Sequence, residues 1–254
     1  MNPSEHIGCR RFPCADVRHA AYIIPNVKID PRKVTTIMVS EAATDDPNDY
    51  YYAGGEAAYE RTTVEAFQDG GFGAKTFQDV LDKGIYLTSA VKCAKTGSGI
   101  KAGTINECSS ILEQEIGLFP NIKVIMLMGD TAIKAINYIA KRAGEARVIP
   151  AGSTYKIRSA EHYFRHVRLF PSYLQVGPSF GIEKSKRFMI AEDIKAAMSI
   201  LEWFTGKLIN AERDNSVEGL IIYSSAGHIR RSEVETIDEV LLALQAKAKP
   251  GNVE

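Results

Sequence analysis

The sequence predicts an α/β fold, a three-layer α/β/α sandwich around a central, mostly parallel four-stranded sheet. Three observations carry that expectation. Four short apolar runs rich in β-branched residues stand out: "VTTIMV" (34–39), "IYLTSAV" (85–91), "KVIMLM" (123–128) and "HVRLF" (166–170). Each is nearly continuous rather than alternating, as expected of strands covered on both faces. Helical patterns lie between and after these runs, and strands alternating with helices favour parallel pairing through crossovers. At 254 residues and 45% apolar content, the chain can bury a full core as one large domain, or as one domain plus an appendage.

The elements follow in chain order. The opening "MNPSEHIGCRRFPCADVRHAAYIIP" is too polar for a signal peptide, and no apolar run approaches the ~18 residues needed to span a bilayer. A soluble cytoplasmic protein without a membrane partner is expected, and no obligate protein partner is inferred. Disulfides are rare in that compartment, so the four cysteines read as metal-binding or catalytic thiols. The first run leads into "SEAATDDPNDYYYAGG" and the second into "SAVKCAKTG". Thr104 with Glu107 forms a capping-box pattern opening a helix along Ile105, Cys108, Ile111 and Leu112. The third run ends in "MGDT", where Asp130 is the expected N-cap for Ile133, Ile136 and Ile139. The fourth leads into "FPSYLQVGPSF", followed by a helical stripe of Ile190, Ile194, Ala197, Met198 and Leu201. After Gly206 the pattern changes to a strand, a turn at Ala226-Gly227 and a helix from about Ser232. Residues 1–205 are therefore read as one domain and 206–254 as an appended extension without chemistry.

Net charge is zero, but charge is unevenly spread. Ten acidic and two basic residues lie between Glu41 and Asp82, and seven Lys/Arg against two acidic residues lie between Lys156 and Arg187. The basic stretch reads either as a solvated face or as one wall of a cleft that tracks phosphates. In open α/β sheets ligands bind at the carboxyl ends of the strands, so the four loops named above should meet in space.

In that order, an early cysteine pair, a glutamate loop with an aromatic-glycine turn, "VKC", a helix bearing another cysteine, a strand ending in glycine, and a late Pro-Ser loop resemble the uracil-DNA glycosylase superfamily, most closely its iron–sulfur-containing family-4 type. The resemblance covers roughly residues 5 to 200. It implies that Cys9, Cys14, Cys93 and Cys108 hold a [4Fe–4S] cluster; the thiols alone equally suit a tetrahedral zinc, or no metal if they are simply buried. It implies that Glu41 orients the hydrolytic water, with Asp45 and Asp46 as substitutes, that Ala42 contacts the base and that Tyr52 stacks on it, with Tyr50 or Tyr51 in its place if the register shifts. A carboxylate suits an oxocarbenium-like transition state, and an aromatic face suits a flipped base.

Two positions depart from the family pattern. Ser89 stands where an asparagine reads the base edge, and Phe170 stands where a histidine supports charge on the departing base. A serine cannot make the bidentate amide contact, and losing one donor to a developing anion costs about 10²–10³ in rate. His162, His166 or Lys92 are the side chains available to supply the missing charge. Pro171 and Ser172 are expected to press on DNA, with Lys184, Lys186 and Arg187 on phosphates. The expected activity is hydrolysis of the N-glycosidic bond of uracil or another deaminated base in single- or double-stranded DNA. A catalytically degenerate binder of nucleic acid or nucleotide is the alternative, and an unrelated α/β enzyme using Cys93 is a third reading.

Overall fold

A computed structural model describes residues 1–214 except Glu56, together with short strands at 223–224 and 227–228. Side chains are described through Leu201, except those of Glu56, Pro178 and Ser179. Two compact units are delimited, Met1–Met198 and Ser199–Glu254. In the second, Tyr223–Ser224 (β7) pairs antiparallel with Gly227–His228 (β8). The helix expected from Ser232 lies outside the described residues.

All four apolar runs form strands of one sheet. They are Thr36–Ala43 (β2), Ile85–Lys95 (β3), Val124–Met128 (β4) and Val167–Ser172 (β6). They pair in parallel in the order β3-β2-β4-β6. The sheet is wider than the four strands expected. Val17–Arg18 (β1) adds antiparallel to the far end of β3, and His162–Phe164 (β5) adds antiparallel to β6, giving six strands. Both additions are two or three residues long, too short to register as apolar runs. Successive residues Ile37, Met38 and Val39 are all fully buried, so both faces of the sheet are covered, which explains why the strands read as continuous rather than alternating.

The helices are Ala58–Asp69 (α1), Phe77–Leu81 (α2), Ala102–Ile116 (α3), Asp130–Arg142 (α4), Thr154–Ile157 (α5), Pro178–Ile182 (α6) and Lys184–Asp214 (α7). On one face α3 and α4 pack on each other and on the strands through Ile105, Leu112, Ile133, Ile136 and Ile139. Ile194 of α7 lies against Gly70 at the end of α1, where a Cβ would meet its Cγ2 at 3.3 Å. Among the described residues no helix is long and apolar enough to cross a membrane.

Two helix starts differ from the sequence reading. α3 begins at Ala102, and the Thr104–Glu107 box does not form. Instead Asp16, 85 residues earlier in the chain, accepts the Lys101 N–H at 2.6 Å and binds the Thr104 hydroxyl. Those two donors outweigh a desolvation penalty and hold the Asp16 carboxyl below the usual carboxylate range. α4 starts with Asp130 already inside the first turn, paired to Lys134, while the capping position is Gly129, which has no side chain to offer.

Candidate active site

Gly129 makes room for a carboxylate from another strand. Glu41 is half-buried near the carboxyl end of β2, and its Oε1 accepts the Thr131 N–H at 3.2 Å, inside the first turn of α4. A foreign glutamate thus takes the part of the missing cap, at the helix end that favours negative charge. The fit is close: a Cβ on Gly129 would lie 2.7 Å from both Cγ and Oε1 of Glu41. Gly129 has φ +108°, a conformation costly for any other residue, and its N–H donates to the Ser172 carbonyl at 3.0 Å. The ends of β2, β4 and β6 therefore meet at this point. Just beyond Glu41 the β2–β3 register slips, with Ala42 opposite Val91 and Ala43 opposite Ala94. Such bulges re-aim side chains and are frequent beside active sites. Asp45 pairs with Arg18 at the surface at 2.5 Å, and Asp46 caps the 3₁₀ turn Pro47–Asp49.

The three consecutive tyrosines turn inward. Tyr52, the expected stacking platform, sits at φ +67° with its hydroxyl accepting the Leu87 N–H at 2.8 Å and donating to the Leu87 carbonyl at 3.2 Å. These are the backbone groups that β3 leaves unpaired on the side away from β2, so Tyr52 closes a sheet edge. Its ring lies 6.1 Å from Tyr86 and 5.5 Å from Phe77. Tyr50 donates to Ser89 Oγ at 2.9 Å, and Ser89 passes its own proton to the Val91 carbonyl at 3.0 Å. Ser89, the residue expected at the base edge, is thereby fully buried with its hydroxyl engaged twice. Tyr51 lies 5.1 Å from Tyr59 and accepts Nε2 of Gln175 at 3.0 Å. The Tyr59 hydroxyl contacts the Ala42 carbonyl at 3.4 Å. Burial, with the nearby carboxylates of Glu41, Asp49 and Asp45, pushes the Tyr59 phenol up to about 12, which keeps it protonated beside Glu41.

The late loop is more interior than a DNA-facing wedge would be. Phe170, Pro171 and Ser172 are the last residues of β6, opposite Met126, Leu127 and Met128. Ser172 is fully buried and donates to Asp193 Oδ2 at 2.6 Å, and Asp193 is held in turn by Arg158 at 2.7 Å. The Arg168 guanidinium lies 4.5 Å from the centre of the buried Phe170 ring. Lys184 is exposed at the start of α7. Lys186 pairs with Glu183 at 2.5 Å, and Arg187 reaches across to Glu65 and Asp69 of α1. Of the three cations read as phosphate contacts, two therefore already serve acidic partners. His162 is buried on the Ile157 carbonyl at 2.9 Å, and burial with Lys123 and Arg165 nearby pulls the His166 imidazole below its ordinary range.

The family model described as "Uracil DNA glycosylase superfamily" matches residues 50–190. That range carries Tyr52, Ser89, the sheet beyond β2 and the whole late loop. The chain belongs to the uracil-DNA glycosylase superfamily. A curated relative is the Type-5 uracil-DNA glycosylase of Thermus thermophilus, 27% identical over 88 residues, which is 35% of this chain and 33% of the relative. The match thus spans about a third of that relative's length. Cys9, Cys14, Glu41 and Ala42 precede the range that matches the superfamily.

Around the superfamily core, the four thiols gather where the N-terminal segment meets β3 and α3. Burial first, then the neighbouring sulfurs of Cys108, Cys9 and Cys14, push the Cys93 thiol up to about 12. Cys108 and Cys14 are raised by burial in the same way. Four mutually repelling sulfurs in a half-buried patch are what a cationic centre would stabilise as thiolates. A donor is also in place beside them: the Phe12 N–H points at Cys9 Sγ at 3.3 Å. N–H···S bonds are a lever by which proteins tune thiolate-held clusters, so the residues fit such a group. Among the described residues no group of three or more His, Cys, Asp or Glu forms a ready metal site.

Sequence reasoning placed Gly129 at a strand end without foreseeing its fit to Glu41, and it missed Tyr59 and Gln175. Gly129 carried a usable signal, a glycine between an apolar strand and an amphipathic helix. Gln175, three residues past Ser172, carried none beyond its place in the late loop.

Proposed function

We propose that this superfamily member hydrolyses the N-glycosidic bond of uracil or another deaminated base in DNA, with Glu41 orienting the attacking water. The observation that carries the reading is the seating of Glu41. A half-buried carboxylate is fixed on a helix N-terminus, at the strand ends where β2, β4 and β6 converge, beside a phenol held protonated. A carboxylate so placed accepts a proton from water and stabilises positive charge developing on the sugar. DNA is the proposed macromolecular partner, and the base enters flipped from its stack. In this reading Cys9, Cys14, Cys93 and Cys108 hold a [4Fe–4S] cluster that fastens the N-terminal segment to β3 and α3. The group supplies structural cross-linking and takes no part in hydrolysis; zinc is the other metal these thiols accept.

The test is release of free base from oligonucleotides containing uracil, hypoxanthine or xanthine at enzyme excess. Glu41→Gln is expected to slow release by about 10²–10⁴-fold while DNA binding persists. A second reading, a binder that has lost hydrolysis, draws on two observations: Phe170 offers no donor to a departing base, and the Ser89 hydroxyl is already committed to Tyr50 and Val91. No release from any of the three oligonucleotides, with binding retained, selects that reading.

A further inference from the structure

Gln175 is fully buried, yet its side-chain oxygen has no hydrogen-bond partner. Apart from the Thr36 hydroxyl, it is the only buried side-chain polar atom so placed among the described residues. Buried acceptors are nearly always satisfied, so an orphan in the middle of a strand-end site calls for a ligand. Its position is informative. Gln175 Nε2 donates to Tyr51, Tyr51 packs on Tyr59, and Tyr59 stands beside Glu41. The chain reaches it three residues after Ser172, whose carbonyl holds the Gly129 N–H against which Glu41 rests.

We propose that Gln175 is the base-reading residue of this site, supplying the carboxamide that Ser89 lacks. The proposal rests on the glycosylase reading for the identity of the ligand. The amide's orientation is set by the polar groups behind it. Ser40, behind the tyrosine, gives its proton to the Thr88 carbonyl at 3.1 Å. Tyr51 accepts from the Gln175 amide nitrogen at 3.0 Å, which leaves the amide oxygen on the other side without a partner. A base admitted here would meet one acceptor, Oε1, next to the second N–H of Nε2. That pair matches a ring N–H adjacent to a carbonyl, the lactam edge that uracil, hypoxanthine and xanthine share. Cytosine and adenine present the reverse, a ring nitrogen lone pair adjacent to an amino group, and set acceptor against acceptor and donor against donor. The class this amide reads is therefore the lactam-edged bases, which include the deaminated bases together with thymine and guanine, and it excludes cytosine and adenine.

The experiment compares equilibrium binding of oligonucleotides carrying uracil, cytosine or N3-methyluracil to full-length Glu41→Gln, and to the same chain with Gln175→Leu. The first protein is expected to bind uracil about 10–100-fold more tightly than cytosine or N3-methyluracil, and the second to lose that preference to within about threefold. Equal binding of uracil and N3-methyluracil by the chain with Gln175 intact overturns the proposal. So does an undiminished preference after Gln175→Leu. Should that variant fail to fold, the comparison of uracil with its methylated form decides alone. If the unmodified chain releases no base at all, hydrolysis is refuted while the binding comparison still judges Gln175.

Discussion

Glu41 and Gly129 form a matched pair, and the match makes a sharp prediction. Gly129→Ala places a Cβ where Glu41 now lies, on a backbone angle alanine tolerates poorly. Either the carboxylate moves or the β4–α4 turn does. A displacement near 1 Å in a reacting group costs about 100-fold in rate, and the strained angle costs ~1–3 kcal/mol of stability. Single-turnover base release and thermal melting read the two effects separately. Unchanged release in Gly129→Ala would detach Glu41 from catalysis. The place of Glu41 near a strand end was legible in the sequence, because it comes just after the apolar run 34–39. The fates of Ser172 and Ser89 were not legible, since the atoms that consume their hydroxyls come from Asp193 and Tyr50, far away along the chain. A lone serine carries no mark of such a partner.

Among the elements, the strands were legible and the helix caps were not, for one physical reason. A strand buried on both faces must be apolar along its length, so the four runs announce themselves locally. The caps of α3 and α4 come instead from Asp16 and Glu41, on other segments, so no local box pattern could find them. The same long reach ties β3 to α3. Lys92 and Glu115 form a fully buried ion pair, with Lys92 also donating to Thr88 at 2.7 Å and the Ser89 carbonyl at 2.6 Å. Glu115 accepts from Tyr86 at 2.6 Å and Thr88 at 2.9 Å. Every polar atom of the pair is thereby occupied, which is the condition for a buried charge to be tolerated. Lys92→Met strands the glutamate and is expected to cost about 3–5 kcal/mol, whereas Lys92→Met with Glu115→Leu recovers much of the loss. Urea denaturation of the two variants checks this, and equal destabilisation of both would refute it.

The N-terminal segment is held to the sheet and to α3 by hydrogen bonds at several points, and in the proposed reading a metal held by the thiols would complete that attachment. Met1 donates to the Ile29 carbonyl at 2.8 Å, closing the segment on itself. The Ile23 N–H binds the Lys92 carbonyl at 2.7 Å, β1 pairs with the end of β3, and Asp16 caps α3. The elements contacted are the two that carry Cys93 and Cys108, while the segment itself brings Cys9 and Cys14. A handful of hydrogen bonds holds such a segment weakly, because each contributes only about 1 kcal/mol net. A metal centre closing a loop of this length adds far more, since ligand binding and folding are then one event. Anaerobically purified protein is accordingly expected to carry ~4 iron atoms per chain if the thiols hold a cluster, or ~1 zinc if they hold that ion. Cys14→Ser is expected to lose the metal and to lower the melting temperature, with residues 1–29 becoming sensitive to protease while the sheet stays resistant. Protein free of both metals, or a Cys14→Ser variant with unaltered melting and proteolysis, would leave the attachment to hydrogen bonds alone.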